Sequence, residues 1–237
     1  PLGRELVYEY NPTGTVPGAV TGIDLTAIKV KNGGAYETLT TFTNYINGLP
    51  QTITHASGTV QTLQYNAKGQ LVEQTTSKGA DSETTRFVFD QDLDGTPDPY
   101  GYLIEVQHTD PANPSAFVTL QTLTYDAAGR VRTSTDTEGY TLTYDYDAFD
   151  RVTLITHPDT TAEQFVYENL SLTASKDRNG NWTRYGYDAH RQLILKQDAH
   201  GELTQLEWCR CGDIRKLIDP KGNITHWKRD AQGRVTE

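Results

Sequence analysis

Methionine is absent from the 237 residues, and there are only two cysteines. Two thiols cannot build a disulfide framework, and they say little about compartment. Lys and Arg together number 21 against 31 Asp and Glu, a formal charge of -10. Phosphate neutralisation needs clustered cations, so nucleic acid is not an expected partner. No apolar run approaches the roughly 20 residues of a membrane span, so no span is expected in this chain. No signal peptide opens it, and Pro1-Leu2-Gly3 resembles the remnant of a protease-cleaved tag, so the chain reads as the middle of a longer protein. Only 35% of the residues are hydrophobic, which argues against a compact core. GxSxG, P-loop, GxGxxG and HExxH patterns are all missing. No pair of carboxylates stands out from the Asp-rich background, so an enzyme is not expected.

Thr, Tyr and Gly are plentiful instead, and Thr and Tyr suit a pleated, half-buried surface. They recur with a period. Tyr125, Tyr146, Tyr167, Tyr187 and Trp208 follow one another at steps of 20 or 21 residues, and Arg229 closes the series. A second series lies between them: Asp136-Thr-Glu-Gly139, Asp177-Arg-Asn-Gly180, Asp198-Ala-His-Gly201 and Asp219-Pro-Lys-Gly222, with His157-Pro-Asp-Thr160 filling the slot that lacks its Gly. Both series spell one turn. Its Asp accepts hydrogen bonds from N–H groups just downstream, and its Gly supplies the positive φ after a type I corner. Six or seven residues separate the turns, about one strand. The expected fold is all-β: a repetitive antiparallel meander with two strands per repeat and turns alternating between two rims. Period-2 alternation predicts one better-packed face and one wet face, and the repeated aromatics are expected to form a column of contacts between strands.

Upstream the register weakens. Tyr65-Asn-Ala-Lys-Gly69 fits, Tyr45-Ile-Asn-Gly48 fits with a shortened turn, and Asn32-Gly33-Gly34 reads as a separate hairpin turn. The sequence divides into a divergent β segment over 1–42, degenerate repeats over 43–118 with an acidic insertion at 90–118, and regular repeats over 119–237.

"YDAAGRV", "YDAHRQL" and "RDAQGRV", separated by "DPKGN" and "DRNGN", resemble the RHS/YD-repeat family. The resemblance is strong over 119–237, moderate over 43–95 and poor elsewhere. The family includes the shell regions of bacterial polymorphic toxins, the BC component of Tc toxins, and teneurins. It implies a curved or spiralling sheet forming part of a hollow shell. It also implies a non-catalytic role, a secreted or cell-surface location, bacterial before animal, and a C-terminal toxin or effector of the same parent chain as the enclosed partner. The alternative is an extracellular, calcium-stabilised module for adhesion or carbohydrate binding, with a glycan or a cell-surface protein as partner.

Asp90-Gln-Asp92-Leu-Asp94-Gly95-Thr96-Pro-Asp98 carries the sharpest local chemistry. Oxygen ligands at alternate positions, with a Gly to turn the loop, describe how short loops wrap Ca²⁺. Side chains of Asp90, Asp92, Asp94 and Asp98 and the Thr96 carbonyl are the candidate ligands, and calcium is the one cofactor expected. The bidentate Glu of an EF-hand is missing, and an acidic insertion loop without a metal has the same composition. Cys209 and Cys211 occupy the first and third positions of a rim turn. Half of a soft-metal site and a redox pair are both open. A disulfide across one residue would be strained, so a turn variant with free thiols is expected. His55, His108, His157, His190, His200 and His226 are scattered and read as solvated. Asn169, Asn181 and Asn223 begin formal glycosylation triplets, here a by-product of Asn turns preceding Thr-rich strands.

Overall fold

A computed structural model describes residues 5–11, 14–93, 96–230 and 232–236. Among them lie nineteen β-strands and no helix. The tag-remnant reading of residues 1–3 falls outside the described residues. Two compact units divide the chain at Gly139/Tyr140.

The N-terminal unit runs from β1 (Leu6–Glu9) to β10 (Val131–Asp136), and every strand pairs antiparallel with the next in sequence. The C-terminal unit does the same from β11 (Thr141–Tyr146) to β19 (Ile224–His226). Asn32 pairs with Ala35 around Gly33-Gly34, and Ile46 pairs with Leu49 around Asn47-Gly48. Both turns are those the sequence marks. Part of the insertion joins the meander: β8 (Tyr102–Asp110) and β9 (Asn113–Tyr125) form a long hairpin following β7 (Asp81–Asp90). Among the insertion's described residues, 91–93 and 96–101 lie outside these strands, as does the Pro111-Ala112 turn.

The two kinds of hairpin differ in one respect. At most repeated aromatics the returning strand carries one extra residue, Tyr45 with its shortened turn being an exception. Thr124 faces Thr133 but Tyr125 faces Val131; Gly186 faces Leu195 but Tyr187 faces Leu193. The same shift stands beside Tyr65, Phe89, Tyr146, Tyr167 and Trp208. Such bulges increase local twist and bend the strand. Hairpins of the interleaved series, β12 (Val152–Thr156) with β13 (Ala162–Glu168) and β14 (Ser171–Lys176) with β15 (Trp182–Tyr187), keep an unbroken register.

Burial is thin. Ala27, Tyr45, Leu63 and Phe89 are the buried apolar residues among those described, all in the N-terminal unit. Every residue of β11, β12 and β14 is half-buried, whichever face it points to. The expectation of one packed and one wet face fails in these three strands, whereas β16 (Leu193–Gln197) alternates half-buried and exposed residues as expected. Alternation produces a strong contrast only where a second layer covers one face. The chain exposes 15406 Å². Two separate compact bodies of half its mass would together expose about 13,000 Å².

Candidate functional site

The rim turn is the recurring site. Asp126 shows its full form over five residues. The Asp126 N–H donates to the Arg130 carbonyl at 2.8 Å, and the Gly129 N–H donates to the Asp126 carbonyl at 2.9 Å. Oδ1 of Asp126 accepts the N–H groups of Ala128 and Arg130 at 2.9 and 3.0 Å, while Oδ2 accepts Arg130 Nε at 2.8 Å. Both carboxylate oxygens are thus used within one turn. Arg151 clasps Asp147 in the same way at 2.7 Å, and Arg234 clasps Asp230 at 2.7 Å. Asn181 and Asn223 do it with amide nitrogens, 3.0 Å from Asp177 and 2.7 Å from Asp219. The nitrogens that two of the formal glycosylation triplets would offer are therefore engaged in turns.

This clasp sets the electrostatics. The carboxyls of Asp126, Asp147, Asp177 and Asp219 are held below the ordinary range, first by the side chain of the fifth residue and then by backbone N–H groups. In Asp230 the backbone N–H of Arg234 leads. The positive φ at the fourth position belongs to Gly in most turns, yet Asp150, Thr160 and Arg191 occupy it at +60°, +68° and +62°. The remaining bonds hold the corner even there.

The repeated aromatics act through their polar atoms. Tyr187 donates its hydroxyl to the Leu172 carbonyl at 2.9 Å, and Trp208 donates Nε1–H to the Leu193 carbonyl at 2.7 Å. Leu172 faces Tyr167 across its hairpin, and Leu193 faces Tyr187. Tyr187 and Trp208 therefore each bond the residue opposite the previous aromatic. Tyr65 to Pro50, opposite Tyr45, and Tyr125 to Leu103, opposite Phe89, obey the same rule at 3.2 and 2.7 Å. Where these links form, the expected column of aromatics is held by side-chain donors to backbone carbonyls; the Tyr167 ring instead carries the Arg151 guanidinium, 4.2 Å from its centroid. Burial raises the phenol pKa values of Tyr65, Tyr125 and Tyr187, which keeps them protonated donors.

The Asp90 loop brings three of its candidate ligands together. Carboxylate oxygens of Asp90, Asp92 and Asp98 lie within 4.8 Å of one another. Asp90 is only 1% exposed, and its Oδ1 accepts the N–H groups of Asp92 and Leu93 at 3.2 and 2.8 Å. Asp98 Oδ2 accepts the Gln91 N–H at 3.1 Å. Thr96 lies in a bend of the same loop; Asp94 falls outside the described residues. The loop is tied down across the rim. The Gln70 side chain bonds both the carbonyl and the N–H of Gly101, at 2.9 and 3.1 Å, and the Asn66 amide donates to the Pro99 carbonyl at 2.7 Å.

Two sequence expectations fail here. Cys209 and Cys211 are joined by a disulfide and are not free thiols. The first and third side chains of this turn converge, with Cα atoms 5.2 Å apart, inside the range a disulfide spans. His157 is not a solvated histidine. It is 9% exposed, with the Tyr140 hydroxyl 2.7 Å from Nδ1 and a Glu163 oxygen 3.0 Å from Nε2. It starts a turn that lacks the leading Asp, and its ring is held by these two partners instead.

Antiparallel hairpins with self-clasped Asp turns, linked aromatic to backbone, define a repetitive β-scaffold protein. Residues 47–90 and 125–162 match the RHS repeat, so these two stretches carry repeats of the RHS/YD type. No curated protein matches it in sequence. Its fold is that of solved Tc toxin chains. The TcdB2-TccC3 structure without its hypervariable C-terminal region superposes with a TM-score of 0.60 at 14% identity, over 99% of this chain and 15% of that one. The TcdB2-TccC3-Cdc42 structure gives 0.58 at 15% identity, over 90% and 13%. A Tc holotoxin pore from Photorhabdus luminescens gives 0.56 at 15% identity, over 98% and 15%. The chain thus spans only about a seventh of the solved chains it resembles.

Proposed function

We propose that this chain is a stretch of non-catalytic wall in a β-shell, which encloses or scaffolds a toxin or effector segment of its own parent protein in a secreted or cell-surface bacterial toxin. The observation that carries this reading is the single-layer meander, whose turns satisfy their own polar groups while its faces stay half-exposed. Such a sheet extends by adding hairpins and needs no central core, which is what a wall requires. The likeness to TcdB2-TccC3 chains, one of them solved without a hypervariable C-terminal region, supports a role beside such a region. Native proteolysis of the parent protein tests it. The repeats should be nicked before the C-terminal segment is lost. Loss of that segment at the rate of an unfolded control, with the repeats intact, would overturn enclosure.

Calcium at Asp90, Asp92, Asp94, Thr96 and Asp98 belongs to the same proposal, as a stiffener of the rim loop. The convergence of three carboxylates supports it, and also supports the alternative of a calcium-stabilised adhesion or carbohydrate-binding module. Calorimetry should give one Ca²⁺ per chain, lost in Asp90→Asn; no heat at millimolar Ca²⁺ would remove the ion. Saturable glycan binding at micromolar concentration would favour the alternative over the wall.

A further inference from the structure

In the turn at 209–213 sulfur replaces the leading carboxylate. Cys209 Sγ accepts the Cys211 N–H at 3.2 Å, the place Oδ1 takes in the Asp turns, and the disulfide closes the first position to the third. The fifth residue, where five other turns carry the Arg or Asn that clasps the leading Asp, is Asp213. Its Oδ2 lies 3.9 Å from Cys211 Sγ. One donor atom from each of Cys209, Cys211 and Asp213 falls within a 4.8 Å cluster. Cys209 and Cys211 border a cavity of about 830 Å³ that His226 and Trp227 also line, and Cys211 is exposed to solvent.

We infer that reduction of the Cys209–Cys211 disulfide opens a binding site for a thiophilic divalent cation of the zinc class, with both sulfurs and an Asp213 carboxylate oxygen as ligands. The step balances. A dithiol reductant supplies two electrons and two protons, the S–S bond breaks, and the reductant becomes a disulfide. The cation then displaces both thiol protons and forms two metal–sulfur bonds. Metal–sulfur distances of ~2.3 Å in a tetrahedral site place the two sulfurs about 3.8 Å apart. Side-chain rotation provides that opening, because the Cα atoms already stand 5.2 Å apart. Two thiolates favour a soft ion over Ca²⁺ or Mg²⁺. Arg229, with Nε 3.5 Å from Asp213 Oδ2, offsets the third negative charge.

The test uses the whole chain, reduced with a dithiol, desalted without oxygen and titrated with Co²⁺. Expected are one ion per chain and a near-ultraviolet thiolate-to-metal band. The oxidised chain should show no band. That control keeps the fold intact and needs no variant. Cys209→Ser and Cys211→Ser should each abolish the band, and Asp213→Asn should keep it while weakening affinity at least tenfold. Co²⁺ held by the Asp90 loop gives no thiolate band and is thereby distinguished. Absence of the band at millimolar Co²⁺ in the reduced chain, its persistence in Cys209→Ser, or unchanged affinity in Asp213→Asn would overturn the assignment.

Discussion

Gly129→Ala and Gly139→Ala make a matched pair. Both glycines occupy the fourth position of an Asp turn, at φ +79° and +80°. A methyl on Gly139 meets nothing within 4 Å, so its cost is the left-handed backbone alone, about 1 kcal/mol. A methyl on Gly129 comes 2.7 Å from the Tyr102 hydroxyl and 3.1 Å from Cε1 of that ring. Tyr102 must swing away, and its ring contact with Tyr125, 4.9 Å between centroids, goes with it. That contact is worth roughly 0.5–1.5 kcal/mol, so Gly129→Ala should cost about 2 kcal/mol. Trp182, Trp208 and Trp227 all lie in the C-terminal unit, so fluorescence would miss the event. Urea unfolding followed by circular dichroism should be paired with amide exchange at residues 126–130, because repeat arrays open locally. Equal losses within 0.5 kcal/mol would show that Tyr102 does not rest on the turn. A Gly139→Ala protein as stable as the parent would refute the left-handed corner itself.

Tyr187→Phe removes the donor to the Leu172 carbonyl while keeping the ring, and should cost about 1 kcal/mol; a neutral result by thermal melting would mean the link is not made. Acid should weaken the fold through the rim. Glu207, bonded by Lys216 and then Arg215, has its pKa lowered to about 2, and Asp126, Asp147, Asp177, Asp219 and Asp230 are also lowered. A carboxyl whose folded pKa is depressed stabilises above its unfolded value, near 4, and loses that contribution as pH falls through the folded value. The melting temperature should therefore be level from pH 8 to about 5 and fall below about pH 4. A melting temperature that rises between pH 5 and 3 would contradict the clasp.

The meander was legible because its signal is local. An Asp-x-x-Gly corner every ten or so residues specifies a reversal whatever surrounds it. The fifth position was equally visible, as Arg130, Arg151, Asn181, Asn223 and Arg234. Its role was missed because the Asp seemed fully used by backbone N–H groups, whereas Oδ2 was still free to take a side chain. The bulges beside the aromatics left no composition cue, since an extra Thr173 or Ile194 looks like any other strand residue. The role of the tyrosines was half visible: recurrence at the hairpin base suggested contact with a neighbour, but nothing in the spacing distinguished ring packing from a hydroxyl reaching a carbonyl. Asp90, Asp92 and Asp98 were found by alternation and do converge. The disulfide was misjudged, because a cost expected from a short ring said nothing of how far this turn already brings its first and third side chains together.

The expectation about faces bears on how the C-terminal unit is held. Reasoning about faces presumes a core, and the C-terminal unit has no buried apolar side chain among its described residues. Its order must then come from contacts made within a hairpin or between adjacent hairpins. The clasp of Asp147 by Arg151 and the link from Tyr187 to Leu172 are of those two kinds. Stability of this kind is close to a sum of repeat and nearest-neighbour terms. Damage to one turn should stay near that turn, and a hairpin should be removable or addable without unravelling distant ones. A globular core penalises such changes everywhere, whereas a sheet locked turn by turn can vary in length while each repeat keeps its own geometry.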